Sequence, residues 1–213
     1  MSDPHDEALA SRLGMWVFIG TELMFFGGLL FAYMMARLAH APGFAQASRH
    51  TDIVIGTANT VILLCSSAAV ALAAEVAQRG AHHLARLALW LTLLLGASFM
   101  ALKGLEYAHD WQQGLFPGVG VQLGQLGQSG IQHEQPLEGA QLFFMLYYVI
   151  TALHAVHLLI GMGAILWLLA HESSHSIDTH VRRTEITALY WHFVDVVWIL
   201  LYPLLYLIDR STP

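Results

Sequence analysis

Long apolar stretches alternate with polar connections along the whole chain. A helix that crosses a bilayer needs about 20 mainly apolar residues. Five stretches meet this requirement, and they predict transmembrane helices at about residues 13–38, 53–77, 84–109, 139–170 and 186–208. Most connections are short, which favours antiparallel neighbours. The predicted fold class is therefore an all-α membrane protein, a five-transmembrane-helix bundle that forms a single membrane domain over residues 1–213.

The composition agrees with a membrane protein and excludes several other classes. The chain is 56% hydrophobic and 11% charged, whereas an ordinary soluble domain has roughly 25% charged residues. It has no basic patch, so nucleic acid is not expected as a partner. Cys65 is the single cysteine, which excludes an intrachain disulfide. Because it lies within an apolar stretch, we expect a buried and inert thiol.

The distribution of arginines predicts the orientation of the bundle. An odd number of spans places the two termini on opposite sides of the membrane. Five arginines fall on the side of the N-terminus and three on the other side. Because positive residues concentrate in the cytoplasm, the N-terminus is predicted to be cytoplasmic and the C-terminus periplasmic. The loop over 110–137 has no Lys or Arg and is predicted to be external.

Ionisable residues within the predicted spans are the candidate functional residues, because each is costly in lipid unless it is paired. Lys103 and Glu106 are three residues apart and can pair on one helix face. In the last span, Glu185, His192 and Asp195 lie within an arc of about 80°, and this shared face is expected to point into the bundle. The full set is Glu22, Lys103, Glu106, His154, His157, Glu185, His192 and Asp195.

Three interpretations of these residues are open at this point. Haem could be held by His154 and His192, provided that the imidazoles lie on opposing helices at one depth. No convincing set of about four zinc ligands is present. A proton path could use the carboxyl groups and histidines, although they form no continuous series in the sequence. Hydrogen bonds across helices, such as His192 or His154 with a carboxylate, would instead fix helix register.

Four stretches together resemble subunit III of the haem-copper oxidases: "FIGTELMFFGGLLFAY", "GLEYAHDWQQG", "FFMLYYVITALHAVHLLIGM" and "EITALYWHFVDVVWILLYPLLYLI". Their order and spacing also agree with that family, over about residues 13–209. The long form of this subunit has seven helices. The chain resembles the short five-helix bacterial form, which lacks the first two.

The resemblance implies a function that the residues alone do not give. Subunit III has no catalytic centre, haem or copper of its own. It packs against the catalytic subunit I, which holds the haem and copper, reduces oxygen and pumps protons. It steadies that subunit, protects it from inactivation during turnover and supports proton uptake. The expected partners are subunit I, other oxidase subunits and phospholipids, in the bacterial cytoplasmic membrane.

Several candidate residues match positions in the family motifs. Glu22 matches the family's intramembrane glutamate, which reacts with carbodiimides. The other matching positions carry over as structural polar residues rather than catalytic ones, and they are Glu106, His154, His157, Glu185, His192 and Asp195. Lys103 has no place in the family pattern. The family's lipid cleft uses the two helices that are missing here, so no lipid-binding residue carries over.

Two function classes and one variant of the first class therefore remain open. The first is a cofactor-free accessory subunit of a respiratory oxidase, and the second is a haem-binding membrane cytochrome. The variant is an accessory subunit of a nitric oxide reductase. The electron donor, cytochrome c or quinol, would be set by the catalytic subunit and is not readable from this chain.

Overall fold

The computed structural model of the protein describes residues 4–48, 51–112, 134–171 and 177–207. These residues form six α-helices and a final turn of π-helix. The helices are α1 (Pro4–Ala39), α2 (Ala41–Ser48), α3 (Ile53–Gln78), α4 (His82–Gln112), α5 (Glu134–Ala170) and α6 (Ile177–Tyr202). The π-helical turn, Pro203–Leu207, is called the π segment below.

Five of the helices are long and apolar enough to cross a membrane, which confirms the predicted all-α, five-helix membrane fold. Their candidate spans are Leu9–Ala39, Ile53–Gln78, His82–Gln112, Glu138–Ala170 and Val181–Leu207. The outer face of α1 has the exposed apolar side chains that lipid contact requires. Met24 is 79% exposed, and Val17 and Phe31 are 67% and 68% exposed.

The helix boundaries differ from the predicted ones in a consistent way. Helix α4 extends to Gln112 and α5 begins at Glu134, so both ends of the predicted loop over 110–137 are helical. The remainder of that loop, residues 113–133, lies outside the described residues. Helix α6 begins at Ile177 rather than at about 186. Hydropathy detects only the apolar part of a helix, and these polar ends continue it. The short helix α2 was not predicted.

Local sequence signals set the sharp turn between α3 and α4 and the start of α3. The Asp52 carboxylate accepts hydrogen bonds from the backbone N–H groups of Val54 and Ile55, at 2.8 and 3.2 Å. This caps two of the free N–H groups at the start of the helix. Gly80 follows the end of α3 with a φ of 74°, a conformation that glycine adopts without steric cost.

Helix α6 is the centre of the bundle and packs against α1, α3 and α5, while α4 packs against α3 and α5. Helices α3 and α6 are antiparallel, since Gln78 contacts Glu185 near one end and Thr57 contacts Tyr202 near the other. We call these the Glu185 end and the Tyr202 end. The large core side chains of α6, Trp191 and Trp198, are fully buried.

Trp191 occupies a slot that exists because two facing positions are glycine. A Cβ atom at Gly96 of α4 would lie 3.0 Å from the indole ring, and one at Gly161 of α5 would lie 3.1 Å from it. The indole N–H donates to the Ser66 hydroxyl of α3 at 3.1 Å. One side chain of α6 therefore lies against α3, α4 and α5, and glycine permits the close approach.

Cys65 corrects one expectation from the sequence. Its side chain is exposed on the surface of α3 rather than buried. An apolar stretch in a membrane helix includes an outer side as well as a core side, and Cys65 lies on the outer side.

Candidate functional site: polar contacts between the membrane helices

Glu22 and His157 form a polar contact between α1 and α5. The Glu22 carboxyl oxygen lies 3.1 Å from Nε2 of His157, and Nδ1 of the same ring lies 2.8 Å from the Leu153 carbonyl oxygen. A carbonyl oxygen only accepts, so Nδ1 must donate its hydrogen. The bond to Glu22 then requires one further proton, which the carboxyl group or the second ring nitrogen holds. The ring of Phe26 packs against that of His157, with the ring centres 5.1 Å apart.

This contact corrects the pairing expected from the sequence. Of the three candidate histidines, His157 meets a carboxylate, whereas His192 contacts a hydroxyl and His154 has no hydrogen-bond partner among the described residues. The Tyr190 hydroxyl also donates to the His157 carbonyl oxygen at 2.9 Å, which brings α6 into the same contact. The three helices α1, α5 and α6 therefore meet at His157.

The three ionisable residues predicted to share a face of α6 have different environments. Glu185, at the Glu185 end, accepts hydrogen bonds from Arg12 at 2.6 Å and from Gln78 at 2.9 Å. His192 lies 2.7 Å from the Ser67 hydroxyl of α3, through Nδ1. Asp195 is 2% exposed, and its carboxyl oxygens have no hydrogen-bond partner among the described residues. Glu185 and His192 thus contact α3, and Asp195 lies inside the bundle.

His154 is enclosed by aromatic rings. It is 1% exposed, with ring distances of 5.6 Å to Phe99 and 5.0 Å to Trp198. Neither ring nitrogen has a hydrogen-bond partner within the described part of the chain. His192 instead contacts Ser67 on α3. His154 thus lies against side chains of α4 and α6, whereas His192 contacts α3.

The described ranges also hold no group of three or more His, Cys, Asp or Glu side chains placed to bind a metal ion. The polar side chains instead form separate contacts between helices. Besides those above, α4 and α5 are joined by the hydroxyls of Tyr107 and Thr151 at 2.6 Å. The Tyr148 hydroxyl donates to Asp110 at 3.1 Å.

Lys103 and Glu106 form the ion pair that their spacing predicts, with a distance of 3.0 Å. Both side chains are buried, at 5% and 4% exposure. Their other partners, the hydroxyls of Tyr147 and Tyr206, were not predicted. Both lie far from Lys103 in the chain, so helix spacing carries no signal for these contacts.

The sequence matches the family described as "Cytochrome c oxidase subunit III" over residues 4–112 and 138–209. The chain belongs to this family. The subunit III resemblance inferred from the four motifs is thus confirmed. The gap between the two matched parts covers the whole connection between α4 and α5 and the first residues of α5.

Individual relatives agree with the family match. The chain is 28% identical to cytochrome c oxidase subunit 3 of Thermostichus vulcanus over 201 residues, covering 93% of this chain and 87% of the relative. It is 31% identical to the subunit 3 of Formosania lacustris over 203 residues, covering 92% and 68%.

A third relative joins two subunits in its name. The chain is 29% identical over 209 residues to "Heme-copper oxidase subunit I+III" of Aeropyrum pernix, which covers 92% of this chain and 22% of that protein. The chain therefore spans about one fifth of that relative and most of the two subunit 3 proteins. As a subunit III it is a multi-pass membrane protein and an accessory subunit of a haem-copper oxidase, which works with subunit I.

Proposed function

We propose that this subunit III steadies the catalytic subunit I of a respiratory haem-copper oxidase in a bacterial cytoplasmic membrane during oxygen reduction and proton pumping. The haem and copper belong to the partner subunits, and this chain contributes no catalytic residue. It protects subunit I from inactivation during turnover and supports its proton uptake.

The main support for this proposal is that the motif side chains make contacts between the membrane helices. Glu22 and His157 join α1 to α5, His192 joins α6 to α3, and Glu185 contacts both α1 and α3. Each ties one membrane helix to another, as structural residues do. A scaffold of this kind suits a subunit whose task is to present a fixed surface to its partner.

Subunit I is the proposed main partner, with other oxidase subunits and phospholipids on the remaining surface. The Aeropyrum relative, whose name joins subunits I and III, supports the partnership. The exposed apolar side chains of α1 and of the outer sides of α3 and α4 provide membrane-embedded surface for protein or lipid. We propose the orientation given by the arginines, with the Glu185 end in the cytoplasm and the external loop on the periplasmic side.

Purification of the tagged full chain in mild detergent from its native membrane tests the proposal. A haem-copper subunit should co-purify, with its haem spectrum and oxygen consumption. If only the bare chain is recovered, or a chain that carries its own haem lost on His154→Ala, the proposal is wrong. If a nitric oxide reductase co-purifies instead, the partner is that enzyme rather than a respiratory oxidase. The donor that reduces the purified complex, cytochrome c or quinol, identifies the electron donor.

A further inference from the structure

Lys103 is the ionisable residue that the family motifs leave without a role, and its surroundings define one. Its ammonium group lies 3.0 Å from the Glu106 carboxylate, 3.0 Å from the Tyr147 hydroxyl and 2.8 Å from the Tyr206 hydroxyl. A lysine ammonium has three N–H donors. All three therefore have an acceptor, although the side chain is buried in the bundle. We call these four residues the Lys103 cluster.

Both carboxylate oxygens of Glu106 also accept hydrogen bonds within the cluster. One Glu106 oxygen accepts from Lys103, and the other accepts from the Tyr147 and Tyr206 hydroxyls, each at 2.7 Å. Each phenol donates its one hydrogen to Glu106 and accepts from Lys103. With Lys103 as an ammonium and Glu106 as a carboxylate, each contact that these two residues make has one donor and one acceptor. The two phenol oxygens also lie 2.9 Å from each other.

Aromatic rings surround the same ammonium group. Its nitrogen lies 5.0–5.5 Å from the ring centres of Tyr107, Tyr147, Trp198 and Tyr206. A cation at such distances is attracted by the negative faces of the rings, most strongly where water is excluded. The ring contacts thus favour the charged form of Lys103.

The cluster joins three elements that lie far apart in the sequence. Lys103 and Glu106 are on α4, Tyr147 is on α5, and Tyr206 is on the π segment. The π segment begins at Pro203, which has no N–H to continue the α-helical hydrogen bonds. Its position therefore depends on other contacts, and Tyr206 supplies two of them, to Lys103 and to Glu106.

We propose that Lys103 and Glu106 form a charge-balanced lock that holds the C-terminal π segment against α4 and α5. The two charges must be kept or removed together. Loss of one partner leaves the other charge buried without compensation, which is strongly destabilising, whereas replacing both partners by neutral side chains is often tolerated. This role concerns the fold of the chain and does not depend on the proposed oxidase function.

Thermal unfolding of the purified full chain tests the charge balance. Lys103→Met keeps the stem of the side chain without the charge, and Glu106→Gln keeps its shape. Each single substitution should lower Tm by about 6–20 °C, from the usual effect of breaking a buried pair in a chain of this size. The double substitution should lower Tm by less than either single one. A double variant whose shift equals the sum of the two single shifts would overturn the charge-balance proposal.

The second test uses variants that leave both charges in place. A nitroxide label on Leu207→Cys, in a Cys65→Ser background, reports the mobility of the π segment at a temperature well below unfolding. Tyr206→Phe should increase the mobility of this label, because it removes the segment's bonds to the pair. Tyr107→Phe is the matched control, since it removes a hydroxyl contact of 2.6 Å between α4 and Thr151 of α5 and leaves the bonds of Tyr206 in place, so the label should stay immobile. Identical spectra for parent, Tyr206→Phe and Tyr107→Phe would contradict the lock.

Discussion

The slot around Trp191 gives the most direct test of how this bundle is packed. Gly96→Ala adds a Cβ atom 3.0 Å from the indole ring, and Gly161→Ala adds one 3.1 Å from it, both closer than ordinary van der Waals contact. The ring is fully buried and hydrogen-bonded to Ser66, so it cannot move aside without losing that bond. Overpacking of this kind costs about 1–3 kcal/mol.

The same two helices provide matched controls. Gly104 of α4 and Gly163 of α5 have open space where a Cβ atom would be added. Alanine at these positions should be neutral or stabilising by about 0.5–1 kcal/mol, because glycine loses more backbone entropy in a helix. Thermal unfolding of the full chain in one detergent should therefore separate the two pairs. The slot variants should lose about 2–12 °C in Tm, and the control variants should not.

A second substitution identifies the indole as the cause. Trp191→Phe, which shortens the ring that faces Gly96, should recover part of the loss caused by Gly96→Ala. The two substitutions should then show a coupling of about 0.5–3 kcal/mol, as residues in direct contact do. If Gly96→Ala and Gly104→Ala shift Tm equally, or if Trp191→Phe adds its full effect to that of Gly96→Ala, the slot does not constrain the packing.

Three further outcomes are expected. Glu22→Leu should destabilise the chain by about 1–3 kcal/mol, because it leaves Nε2 of His157 buried without a partner; Glu22→Gln can donate to that nitrogen and should unfold close to the parent Tm. His192→Leu removes the contact of α6 with Ser67 of α3 and should therefore weaken assembly with the catalytic subunit or shorten activity during turnover, with unchanged haem spectra; altered spectra with intact assembly would favour a ligand role. Cys65 should stay unmodified by a maleimide in membranes and react once the chain is unfolded in denaturing detergent, because the thiolate is the reactive form and a membrane span excludes the water that stabilises it; mass spectrometry of the intact chain would show this.

The five spans could be predicted because the bilayer imposes a length and a polarity on each of them. The ends of the helices could not be predicted in the same way. Residues 110–112 and 177–185 are polar, yet they continue α4 and α6. A helical backbone in water needs no apolar surroundings, so hydropathy does not detect such extensions. The π segment was also missed, because it follows from a proline and from contacts with distant residues.

The candidate site was predictable only where the partners are close in sequence. The pair of Lys103 and Glu106 follows from helix periodicity. His154 and His157 are also three residues apart, but they differ in environment. His157 meets Glu22, whereas His154 lies against Phe99 and Trp198. Which of two neighbouring histidines meets a carboxylate is decided by the rotation of α5 against α1, and nothing within the sequence of α5 specifies that rotation.

The polar contacts also explain how α1 holds its position. In lipid, apolar side chains pack against neighbouring helices with little preference over lipid tails, so they specify helix position weakly. Helix α1 contributes few buried side chains, but it has polar contacts at three levels. Arg12 meets Glu185, Glu22 meets His157, and the Tyr33 hydroxyl donates to the Leu204 carbonyl oxygen at 2.9 Å.

These three contacts do not contribute equally. Arg12 is 62% exposed at its side chain, and an exposed ion pair contributes only about 0–1 kcal/mol. Tyr33 is fully buried and its acceptor belongs to the π segment. The position of α1 near the Tyr202 end therefore depends on the π segment, which the Lys103 cluster holds in place. Glu22 and His157 are left to fix the middle of α1, so Glu22→Leu should disturb the centre of the helix more than Arg12→Ala disturbs its start.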